Sequence, residues 1–146
     1  EGMFDLKDKI ALVTGAAQGL GKGISLTLAG AGANIIINDL RADKRTDDLL
    51  TAIKKLGRNA AVIEADVSDE QAVKALFRKI EVQYGKLDIL VNNAGTTRAQ
   101  DIFEIDLPEW ERIIRNNLSS CFLCSQAAAK MMKAQNLHSQ VGLHLL

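Results

Sequence analysis

The pattern in this chain best suited to chemistry is Gly15-x3-Gly19-x-Gly21. It lies between a short branched apolar run, Ile10–Thr14, and an apolar periodic segment, Leu20–Leu28. A buried strand, a tight turn and a helix in that order open a βαβ unit. Gly15 permits a sharp turn, Gly19 lets backbone approach a phosphate, and Gly21 allows the helix to pack closely on the strand. From Thr14 through Gln18 and Leu20, free backbone N–H groups and the positive end of the helix dipole then suit a pyrophosphate. The spacing departs from G-x-G-x-x-G, and the plainer alternative is a turn that binds nothing.

A second functional candidate follows from position. Asp39 ends another buried run, Ala33–Asp39, about twenty residues after the turn, where a dinucleotide fold places the acid that binds ribose hydroxyls. Leu40 beside it belongs to the same expected contact. A carboxylate there repels a 2′-phosphate, which favours NAD over NADP. Arg41 works the other way, and Gln18 in the turn adds no positive charge. The structural alternative for Asp39 is to cap the next turn.

The remaining elements must form the frame. Asp43–Leu56 reads as an amphipathic helix closed by Gly57, with Leu49, Leu50, Ile53 and Leu56 on one face. Ala60–Ala65 reads as a strand. Ser68-Asp-Glu-Gln71 reads as a capping box for a helix that reaches Tyr84 and stops at Gly85. Leu87–Asn92 is a fourth strand closed by Asn93-Ala94-Gly95. Two asparagines there can hydrogen-bond across the ligand crevice. The loop from Thr96 to Leu107 offers Arg98 either to an anionic substrate or, more simply, to solvent. Asp106 caps a long helix with Pro108 in its first turn. Trp110, Ile113, Ile114, Asn117, Cys121, Cys124 and Ala128 follow helical spacing, so Asn117 should be a buried amide in need of partners. The expected class is α/β: a doubly wound parallel sheet in the order 3-2-1-4.

Composition narrows the function. The 146 residues carry 18 basic and 18 acidic side chains, so no charge footprint favours nucleic acid or an anionic membrane. Hydrophobic residues at 47% suit an ordinary globular domain, and no apolar run reaches the ~20 residues of a membrane span. The amino-terminal stretch lacks the apolar core of a signal peptide, which points to the cytosol. Cys121 and Cys124 have C-x-x-C spacing but sit within a helix without a second ligand pair; small core residues are the better reading than a metal or redox site.

TGAAQGLG at 14–21 and NNAG at 92–95 together resemble the short-chain dehydrogenase/reductase family. The resemblance spans Phe4 to about Met132. It implies a Rossmann-type fold and hydride transfer between NAD(P) and a small-molecule alcohol or ketone. It implies that Asp66 meets the adenine amino group with Val67 backbone beside it. It implies mixed structural and cofactor roles for Asn92, Asn93, Ala94 and Gly95. WERIIRNNLSSCFLCSQAA resembles the family's long interface helix, which implies a homo-oligomer through residues 107–133. Within it, Asn117 matches a catalytic asparagine that kinks the helix and holds a relay water.

The family's Ser and Tyr-x-x-x-Lys find no counterpart. The only tyrosine, Tyr84, is followed four positions later by Asp88. Residues 1–135 therefore read as an incomplete dinucleotide-binding domain and 136–146 as an atypical tail, whose apolar end, Val141–Leu146, is expected to add as a fifth strand beside Leu87–Val91. The expectation is a dinucleotide binder that is inactive alone, the alternative a non-catalytic nucleotide-binding or subunit-interaction fragment. The loop TTRAQDIFEIDLPEW is similar to that of sugar-acid dehydrogenases, and oxoacyl-carrier-protein reductases share much of it.

Overall fold

A computed structural model describes residues 4–99 and 101–136 of the chain. Four strands, β1 (Ile10–Val13), β2 (Asn34–Asp39), β3 (Ala60–Glu64) and β4 (Ile89–Val91), form a parallel sheet in the order β3-β2-β1-β4. This is the expected order. Leu12 pairs with Ile36 on one side and Leu90 on the other, which fixes the register at the sheet centre.

Helices cover both faces, because each strand is apolar on both sides. Ala11, Val13, Ile35 and Ile37 point toward α1 (Gly19–Gly30) and α2 (Lys44–Lys55), where Leu49 and Ile53 are fully buried. Leu12, Ile36 and Leu90 point the other way, toward α3 (Glu70–Tyr84) and α5 (Ser120–Asn136). Each such aliphatic side chain contributes about 1.5–3 kcal/mol on burial.

Several local expectations need correction. The capping box at Ser68 does not form. Asp69 is the N-cap of α3, its carboxylate accepting from Ala72 N–H at 2.7 Å. Ser68 instead gives both its N–H and its hydroxyl to the Asp66 carboxylate. A carboxylate is the stronger acceptor, and its place one residue later moves Gln71 out of register with the box. A reciprocal box does form at α2, where Asp43 N–H donates to Thr46 Oγ1.

The last helix is broken at Asn117, where the resemblance implied a kink. Asp106 caps α4 (Leu107–Ile114) as expected, but a π turn, Arg115–Ser119, separates α4 from α5. Asn117 sits in that turn and is exposed rather than buried. The expected apolar stripe is buried only from Cys124 onward, with Ala128 and Met132; Trp110 is 54% exposed and Cys121 half-buried. Only α5 lies on the sheet, so only its residues gain cover. The strand expected of Val141–Leu146 beside β4 falls on residues outside those described. Among the described residues no helix is long and apolar enough to cross a membrane, and no cluster of His, Cys, Asp and Glu could hold a metal.

Candidate cofactor-binding site

The carboxyl ends of the parallel strands face a cleft of about 710 Å³. It opens where successive connections leave β1 in opposite directions, the position at which open α/β sheets bind ligands.

The glycine turn forms its floor. Gly15 has φ +60°, and a Cβ there would stand 2.9 Å from Ala94 Cα. Thr14 is buried, its Oγ1 accepting from the N–H groups of Asn93 and Ala94 at 3.0 Å each. Asn93 returns the contact, with Nδ2 donating to the carbonyls of Thr14 and Gly15 at 3.0 Å each. These bonds lock the end of β4 to the turn after β1. Gly21 completes the packing: a Cβ would collide with Gly15 O and come 2.5 Å from Asn93 Nδ2. Thr14 and Gly21 therefore support the cleft from behind, while Gly15, Gln18, Gly19 and Leu20 line it.

Gly19 differs from its neighbours. Its φ is +55°, and no atom lies within 4 Å of where a Cβ would stand. Its missing side chain leaves space, not a contact. Here α1 begins without a side-chain cap at Gln18 and without an acid in its first turn, whereas α2, α3 and α4 are capped by Asp43, Asp69 and Asp106. Lys22 N–H to Gln18 O is the first bond of the helix, and of the N–H groups before it those of Gly19 and Leu20 belong to cleft-lining residues. An uncapped helix start beside an open glycine fits a diphosphate.

Asp39 stands at one end of this floor. Its Oδ2 accepts from Ala17 N–H at 3.0 Å and its Oδ1 from Leu40 N–H at 2.9 Å, and each oxygen keeps a further lone pair. The acid thus caps the turn and still lines the cleft with Leu40; the two readings of its role are compatible. Asp66, oriented by Ser68, and buried Val67 line the cleft from the end of β3.

The loop after β4 closes the other side through Asn93, Ala94, Gly95 and Thr96. Asn92 points away and donates to Ser125 Oγ on α5 at 2.9 Å. Gly95 serves Asn117: a Cβ there would come 2.5 Å from Asn117 Oδ1. The Asn117 carboxamide accepts from Thr96 N–H and donates to Thr96 O and Ile113 O. Both of its amide N–H groups are used although it is exposed. It does not line the cleft itself, but the adjacent Asn116 does. The π turn is held by side chains reaching back four residues, Asn116 to Arg112 O, Ser120 to Asn116 O and the Cys121 thiol to Asn117 O.

Other cleft residues escaped the sequence reading. Asn38 is buried and ties β2 to the carbonyls of Ile63 on β3 and of Ala65 just beyond it; the polar residue within IIIND was its signal. Arg112 reaches the cleft from α4. Asp43 and Arg45 reach it from the first turn of α2, and no motif marks them. Arg45 holds the Asp43 carboxyl below the usual carboxylate range by hydrogen bonding, and its own guanidinium is pushed up by the same bond.

Tyr84 does not meet the cleft. It packs against the core on the α3 side, and burial pushes its phenol up. Burial first, then the neighbouring Cys121, pushes the Cys124 thiol up to about 12, which suits an inert core residue.

A parallel sheet with an uncapped glycine turn at its switch point defines a Rossmann-type dinucleotide-binding fold. The short chain dehydrogenase family pattern matches residues 9–141, and the chain belongs to that family. It is 39% identical over 140 residues to a 3-oxoacyl-[acyl-carrier-protein] reductase of Staphylococcus aureus, covering 92% of this chain and 57% of the relative. It is 40% identical over 132 residues to a 2-dehydro-3-deoxy-D-gluconate 5-dehydrogenase of Pseudoalteromonas atlantica, covering 90% and 52%. A short chain dehydrogenase from Burkholderia cenocepacia solved in complex with NADP superposes with TM-score 0.82 at 36% identity, over 87% of this chain and 52% of that one. The chain spans about half the length of the curated relatives it matches.

Proposed function

We propose that this chain is the dinucleotide-binding part of an NAD(P)-dependent oxidoreductase acting on a small-molecule alcohol or ketone, and that it prefers NAD. The observation that carries the reading is the uncapped start of α1 beside Gly19, with Asp39 at one end of the same cleft. Gly19 and Leu20 offer N–H groups to a diphosphate, and the Asp39 carboxylate accepts from ribose hydroxyls. Asp66 and Val67 flank the adenine, and Ala94 and Gly95 border the path toward the nicotinamide. A bound nicotinamide supplies or accepts the hydride.

Asn117 takes the candidate catalytic position. Its part in this chain is to hold Thr96 at the mouth of the cleft through a paired amide contact. No Tyr-x-x-x-Lys occurs among these 146 residues, so the part they supply is dinucleotide binding. The relatives named above act on an acyl chain carried by a protein and on a sugar acid. Substrate class is therefore proposed only as a carbonyl or secondary alcohol.

The exposed apolar side chains of Leu107, Trp110, Leu118 and Phe122 support self-association through the helix at 107–133. Two free thiols suit a reducing, cytosolic setting. Fluorescence titration of the folded chain with NADH tests the central reading. Saturable enhancement supports it; no change with NADH or NADPH, with the fold intact by circular dichroism, rejects it.

A further inference from the structure

Arg45 lines the cleft with its guanidinium engaged on two sides. Its Nε and Nη2 face the Asp43 carboxylate, with Nη2 to Oδ2 at 2.7 Å. Its Nη1 donates to Gln18 Oε1 at 2.9 Å. Gln18 is the residue after Ala17, whose N–H holds the Asp39 carboxylate. The guanidinium therefore sits next to the acid that selects the ribose, at the position in the glycine turn where Gln18 brings no charge. The field of Asp39 also reaches Arg45 and helps keep it protonated.

Charge around this end alternates: Asp39, Arg41, Asp43 and Arg45 all line the cleft. A 2′-phosphate entering here would meet Asp39 directly. The guanidinium beside it cannot answer, because its Nε and Nη2 are taken by the Asp43 carboxylate and its Nη1 by Gln18. We propose that Asp43 is a specificity-determining residue: by holding Arg45 against Gln18 it withholds a guanidinium that would otherwise recognise the 2′-phosphate of NADP. This rests on the dinucleotide reading given above. It extends that reading from Asp39, which repels the phosphate, to a second device that removes the attraction.

The pair is suited to such a role. Both side chains are partly exposed, 48% and 38%, so Arg45 is free to swing once released. Asp43 is also the N-cap of α2, accepting from Arg45 N–H at 2.9 Å. Asn and Ser can take over that cap without the charge.

The test uses the 146-residue chain and measures the ratio of NADH to NADPH dissociation constants by fluorescence titration. A partly folded sample weakens both equally, so the ratio reports selectivity alone. Asp43→Asn is expected to shift the ratio toward NADPH about tenfold, the scale of one uncompensated charge near a phosphate at the rim of a cleft. The shift should shrink as salt rises. Asp43→Ser, an alternative cap, should move the ratio the same way. Asp43→Asn combined with Arg45→Gln should return it to the parent value. NADH binding with an unchanged ratio in both single variants overturns the proposal and leaves the dinucleotide reading standing. A shift that persists without Arg45 also overturns it. Failure of the folded parent to bind either coenzyme overturns both.

Discussion

Replacing Gly21 by alanine tests whether the close fit between α1 and the end of β4 shapes the cleft. The new methyl would collide with Gly15 O, stand 2.5 Å from Asn93 Nδ2 and 3.0 Å from Ala16 Cα. Two of these are backbone, and Asn93 is held by its bonds to the carbonyls of Thr14 and Gly15. Overpacking of this kind costs about 1–3 kcal/mol. Displacing Asn93 sacrifices two hydrogen bonds worth about 0.5–1.5 kcal/mol each. The better helix propensity of alanine offsets up to about 1 kcal/mol. The net expectation is about 1–6 kcal/mol of destabilisation, or roughly 3–20 °C in Tm for a domain of this size.

Gly23→Ala is the natural control. Nothing lies within 4 Å of its Cβ position and its φ is helical, so it should gain about 0.5–1 kcal/mol. Gly19→Ala separates stability from binding. Its open surroundings leave only the cost of a positive φ, about 1–2 kcal/mol, while its methyl enters the cleft. Thermal melts followed by circular dichroism, with NADH titration of each variant, read all three. A Gly21→Ala chain that melts within 2 °C of the parent would refute the argument, and so would a Gly23→Ala chain that falls as far as Gly21→Ala.

Other outcomes follow from the same geometry. Asp39→Ala should weaken NADH binding about tenfold or more, because a charged acceptor is worth about 1.5–3 kcal/mol; calorimetry that finds equal affinity would remove Asp39 from the site. Asn117→Ala frees Thr96, and hydrogen exchange should show the Thr96 amide losing protection while amides in β1 keep theirs. Cys124 should resist alkylation at pH 8 in the folded chain, read by mass spectrometry. Because folding raises that thiol to about 12, the native state holds the proton longer than the unfolded chain. Its contribution is present at neutral pH and is lost above the unfolded pKa, by about 1.4 kcal/mol per pH unit up to pH about 12.

The sequence was most informative where one residue type answers one local demand. Apolar runs with branched side chains marked the strands, since only buried parallel strands are apolar on both faces. Glycines at 15, 57 and 85 marked turns that take positive φ. Strand order followed because βα crossovers turn one way. These are demands that a chain meets within a few residues of itself.

Tertiary contact decided the rest. The sequence could not reveal that Gly95 makes room for Asn117, that Gly21 is held against Asn93, or that Arg45 reaches back to Gln18. The resemblance placed a kink at Asn117, but helical spacing runs unbroken across Arg115–Ser119, so the π turn itself shows only in the backbone geometry. The burial of Asn117 was misjudged for the same reason: periodicity says which residues share a face, while only the packed sheet says how far along the helix that face is covered.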